Sequence, residues 1–140
     1  MAAGYLLWAV VALVAYTFVP IFTKAAMENI PSTTVALVSN GILAVIALGV
    51  VLVTDEPVTS SLSDPRAPYM LAGGVCLAVG ILAYYRALSL GPVNVVVPVF
   101  GLFLVTSPLV SALALDEALT ARTVFGVALA MVGVYLATVN

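Results

Sequence analysis

The sequence has no histidine, a single cysteine and only four basic and six acidic side chains in 140 residues, and each scarcity closes off a class of chemistry. Without histidine, and without a cluster of cysteines and carboxylates, the chain offers no ligand set for a transition metal. No nucleophile is matched to a base that could activate it, so the residues point away from an enzyme, and no cofactor is implied. A Walker-type phosphate loop is absent, which removes direct coupling to ATP. Four isolated basic residues cannot form a stripe that tracks a phosphate backbone, so nucleic acid is not the partner. Cys76 has no second cysteine for a disulfide and lies mid-way along an apolar segment, where it reads as a small packing residue.

What the chain does have is hydrophobic side chains, 64% of the total, with a mean hydropathy of +1.28. Lipid is the solvent that such a composition requires. A spanning helix needs roughly 20 predominantly apolar residues. Stretches of that length recur along the chain, and the expected fold class is all-α integral membrane with five transmembrane helices in a single domain over 1–140. The helices are predicted at about 5–27, 33–53, 68–90, 92–115 and 121–139. The first has no basic n-region and is too long for a signal-peptide core, so it is expected to stay as a span. Ile30-Pro31 breaks the first helix from the second, because a residue before proline is pushed out of helical geometry. Residues 54–67, with Asp55, Glu56, Asp64, Pro57, Pro65 and several serines, read as the one real loop. Gly91-Pro92 separates the third helix from the fourth; glycine is expected in the left-handed C-terminal position and proline in the first turn that follows. Asp116, Glu117 and Thr120 make a short polar link to the last helix.

An odd number of spans puts the termini on opposite sides of the membrane. Arg66 and Arg122 fall on the side of the N-terminus, Lys24 and Arg86 on the other, so the basic residues that set orientation are evenly divided. A chain without that bias is expected to insert both ways and to pair as an antiparallel homodimer. The alternative is that a partner or the lipid fixes one orientation.

Small residues let helices approach closely in lipid. Gly126, Ala130, Gly133 and Ala137 in the last helix fall at intervals of four, three and four, on one face, and form the candidate dimer seam. Gly73, Gly80, Ala83 and Ala87 make a similar row in the third helix. Pro20, Pro98 and Pro108 each remove a helical hydrogen bond and are candidate kinks or gates. Polar groups at membrane depth are candidates for lining a substrate cavity: Tyr16 and Thr17 in the first helix, Asn40 in the second, Asn94, Thr106 and Ser107 in the fourth. Lys24, with Tyr84, Tyr85 and Arg86, is expected at one mouth of that cavity; the competing reading has Lys24 reaching the headgroups and pairing with Glu28 four residues on. No carboxylate lies in the middle of a span, so proton exchange through a buried acid is not available.

The run from Ala83 to Pro98, with Tyr84-Tyr85-Arg86-Ala87-Leu88 and Gly91-Pro92, resembles the junction between the third and fourth helices of the drug/metabolite transporter superfamily, specifically one EamA-type repeat. Asp116-Glu117-Ala118-Leu119-Thr120 and the glycine-containing helix from Gly126 to Leu136 are similar to the acidic link and last helix of such repeats. The resemblance implies a transporter of small molecules, metabolites or drugs, in the inner or plasma membrane. Most relatives join two such repeats of opposite orientation around a substrate cavity, so a single repeat is expected to obtain its second half from another copy and to work by alternating access. An arginine frequent early in the family's second helix has no counterpart here, where Val38, Ser39 and Asn40 stand. Two other readings stay open: a non-transporting subunit of a larger membrane complex, and a flippase for lipid-linked metabolites.

Overall fold

The computed structural model describes residues 2–114 and 120–139. Asp116 and Glu117, expected in a polar link, lie outside the described residues. The described chain is helical and contains no strand: α1 (Ala2–Ala26), α2 (Ser32–Thr54), α3 (Val58–Leu62), α4 (Ala67–Leu90), α5 (Val93–Gly101), α6 (Phe103–Ala114) and α7 (Ala121–Thr138). Among these residues five segments are long and apolar enough to cross a membrane, with α5 and the start of α6 counting as one, Val93–Ala112. The protein is therefore a multi-pass membrane protein, and its solvent is the bilayer.

The helix ends follow from local chemistry. Pro31 is the N-cap of α2, extended at φ −55° and ψ 138°, as expected where proline cannot continue the preceding helix. At the other end of α2, Asp55 takes the left-handed conformation, φ 51° and ψ 42°, with its N–H on the Val51 carbonyl. An aspartate tolerates that conformation better than most residues, though glycine is the usual occupant. Thr120 caps α7 by accepting the Thr123 N–H on its hydroxyl at 3.2 Å.

Three expectations need correction. The loop over 54–67 contains a single helical turn, α3, which starts after Pro57; the Ser60 and Ser61 hydroxyls donate back to the Pro57 carbonyl at 3.0 and 2.8 Å and close the turn. Gly91 is not left-handed, since among the described residues no glycine has a positive φ, and Pro92 is the extended N-cap of α5 rather than its first turn. The residue before a proline is steered away from helical geometry, which accounts for the chain leaving the helix at this point without a left-handed glycine. Finally, the helix expected over 92–115 is interrupted at Leu102. There the N–H turns to the Val99 carbonyl at 3.2 Å, three residues back, instead of Pro98. Gly101, a weak helix former, precedes the break, and Phe100 and Phe103 bracket it with ring centroids 5.1 Å apart.

The chain divides into two compact units, Met1–Ser89 and Leu90–Asn140. In the first, the buried side chains gather mainly where α1 ends, α2 begins and α4 ends: Pro20 and Thr23, Ser32, Val35 and Ala36, Tyr84, Tyr85 and Leu88. Toward the opposite membrane face every residue from Gly4 to Phe18, from Gly41 to Val50 and from Pro68 to Gly80 is exposed. In the second unit α5 packs chiefly against α7, which turns Thr123, Val127, Val134 and Thr138 partly inward. Gly126, Ala130, Gly133 and Ala137 are exposed on the neighbouring face.

Candidate functional site

Two features of the first unit could serve a passing solute: a tied end and a groove. The tied end centres on Lys24, whose ammonium donates to the Leu88 carbonyl at 2.6 Å. Leu88 is fully buried, and its carbonyl belongs to the last turn of α4, where an α-helix leaves acceptors unpaired and carries partial negative charge. A cation from α1 thus satisfies an acceptor at this helix end. Tyr84 and Tyr85, 8% and 3% exposed, meet edge to face at 6.1 Å beside this contact. Thr23, one residue before Lys24, keeps its buried hydroxyl on the Val19 carbonyl at 2.7 Å.

The groove lies between α2 and α4 and has a volume of about 420 Å³. From α2 it takes Thr33, Ala36, Leu37, Asn40, Leu43 and Ala44, which share one helical face by their spacing of three, four and seven residues. From α4 it takes Gly74, Leu77, Ala78, Ile81 and Leu82, again one face. A Cβ placed on Gly74 meets nothing within 4 Å, so the missing side chain leaves real space. Thr33 and Asn40 are the polar lining side chains, and no charged residue lines the groove. Asn40, half-buried, donates from Nδ2 to the Ala36 carbonyl at 2.8 Å, one turn back on its own helix. That bond uses one amide hydrogen; the second hydrogen and Oδ1 retain hydrogen-bonding capacity.

The residues selected from sequence therefore divide. Asn40 lines the groove. Lys24, Tyr84 and Tyr85 come together at the tied end, whereas Arg86 is exposed. Tyr16 is 69% exposed, and Thr17, also exposed, returns its hydroxyl to the Leu13 carbonyl at 2.8 Å, which makes it compatible with lipid. Asn94, Thr106 and Ser107 are exposed residues of the second unit. Pro20 sits inside an unbroken α1, and Pro98 and Pro108 sit inside α5 and α6, so the interruption falls between them at Leu102 rather than at either. Sequence reasoning missed the α4 wall. The signal was present as Gly74 and Ala78, four residues apart, facing the small and polar row Thr33, Ala36, Asn40 and Ala44.

On the seam of α7, a Cβ at Gly126 or Gly133 meets nothing within 4 Å. The same holds for Gly73 and Gly80 in α4. Neither row of small residues is filled at its glycines within its own unit.

The model of the EamA-like transporter family matches residues 3–139. No curated protein and no solved structure matches the chain.

Proposed function

Because the chain belongs to the EamA-like transporter family, whose members move small molecules across membranes, we propose that it forms one half of such a transporter and that a second, inverted copy supplies the other. The observation that carries this reading is the open glycine face of α7, where Gly126 and Gly133 leave room for a closely approaching helix. The even division of Lys24 and Arg86 against Arg66 and Arg122 supports insertion in both orientations.

In this reading the cell's inner or plasma membrane holds an antiparallel homodimer whose two copies rock about a central cavity. The tied end is one gate. Separation of α1 from α4 there breaks the Lys24–Leu88 contact and uncovers the tyrosine pair, while the inverted copy keeps its own tie and closes the opposite face. Asn40 lines the path in the groove, with Lys24, Tyr84, Tyr85 and Arg86 at its mouth. Transport is driven by the substrate's own gradient or by a coupled ion, with no chemical step on the protein.

Reconstitution tests this directly. Proteoliposomes containing this chain alone are expected to show saturable flux of at least one solute in a panel of amino acids, sugars, nucleotides and neutral and cationic aromatic compounds. Absence of flux across the panel, with the protein recovered only in complex with another membrane protein, would favour a non-transporting subunit.

A further inference from the structure

We infer that the groove between α2 and α4 is a binding subsite for an uncharged, largely apolar small molecule that presents one hydrogen-bonding group to the Asn40 amide. The inference rests on the transporter reading for its purpose but on the groove alone for its chemistry. A volume of about 420 Å³ lies within the range of small-molecule sites, which are mostly apolar with a few placed polar groups. The lining has no charged side chain, and a bare charge brought from water to this depth has nothing to offset its lost hydration. Lys24, the one basic residue of α1, is held on the Leu88 carbonyl and does not line the groove.

Asn40 gives the subsite its direction. It stands eight residues past the first residue of α2, about 12 Å into a span whose apolar thickness is about 30 Å. At that depth water is not available to pair its free amide hydrogen and Oδ1, so a ligand amide, hydroxyl or carbonyl is the complement. Thr33 lies two turns toward the membrane face on the same side of α2, about 10 Å away along the axis. This distance sets the length of the ligand body that can lie between the two polar groups. Opposite it, Gly74 has no side chain, Ala78 contributes only a methyl, and Ile81 supplies an apolar wall.

Photolabelling in lipid nanodiscs distinguishes this subsite from simple partitioning into lipid. The probe is para-benzoylbenzamide, neutral and bearing a carboxamide, with (para-benzoylbenzyl)trimethylammonium as its cationic counterpart. The neutral probe is expected to label the α2 and α4 segments that contain Leu37 and Ile81. Asn40→Leu, which keeps an apolar residue suited to the span, is expected to reduce that labelling about three- to tenfold through the lost hydrogen bond. Ala78→Leu, which fills the groove, is expected to abolish it, and the cation to label these segments at least about tenfold less. Equal labelling by the two probes, or labelling unchanged in both variants, overturns the inference. Solute flux by the same preparations keeps the two ideas separate: flux without groove labelling leaves the transporter standing and removes the subsite, and labelling without flux does the reverse.

Discussion

At the scale of single residues, the account turns on which polar groups inside the membrane have partners. Lys24 is visible in the sequence as a basic residue near the end of a span, with Glu28 four residues on as a local partner and a cavity mouth as the other reading. The structure adds a partner the spacing does not offer, the Leu88 carbonyl 64 positions away. No short-range pattern encodes such a pairing, because it depends on where α4 ends. Lys24→Met is expected to leave a buried helix-end acceptor without its charged donor and to lower unfolding free energy by about 1–3 kcal/mol, measured by denaturant titration in micelles. Thr17→Val is the contrasting case. Its hydroxyl serves only a carbonyl of its own helix and faces outward, so the same titration is expected to move by less than about 0.5 kcal/mol. Asn40 was legible as a polar residue needing a partner, while its groove was not, since the opposing wall is made of Gly74, Ala78 and apolar side chains that look ordinary in sequence.

At the scale of elements, the apolar runs and the proline-marked breaks pointed to five spans, and five described segments are long and apolar enough to cross, because a membrane helix must satisfy its backbone internally and leaves little freedom in length. Irregularities were harder. The break at Leu102 arises from Gly101 and a shift to a hydrogen bond three residues back, not directly at Pro98 or Pro108, and the turn after Pro57 depends on serine hydroxyls that also suit open loops. Two caps can be tested. Asp55→Gly relieves a side chain from the left-handed region and is expected to raise stability by about 0.5–1 kcal/mol, read as a higher unfolding midpoint. Thr120→Ala removes the hydroxyl that accepts the Thr123 N–H and is expected to lower it by about 0.5–2 kcal/mol.

At the scale of the whole molecule, family and membrane architecture were both legible from the Tyr84–Pro98 junction and from composition, whereas assembly is not written in any one span. The proposed dimer depends on the face of α7 that carries Gly126 and Gly133. Gly126→Leu combined with Gly133→Leu places side chains where the subunit has open space, so the fold is expected to survive with unchanged helical circular dichroism. Dimerisation in nanodiscs is expected to weaken at least about tenfold, read by single-molecule photobleaching. The most direct test is disulfide crosslinking in bilayers in a Cys76→Ala background, with one tagged copy carrying Gly126→Cys and a differently tagged copy carrying Ala137→Cys. These positions lie on the seam face, four residues before Ala130 and four after Gly133, so an antiparallel pair of α7 helices brings unlike positions together. The account predicts mixed crosslinks between the two tagged copies in excess of like-with-like products; like-with-like crosslinks in excess would contradict it.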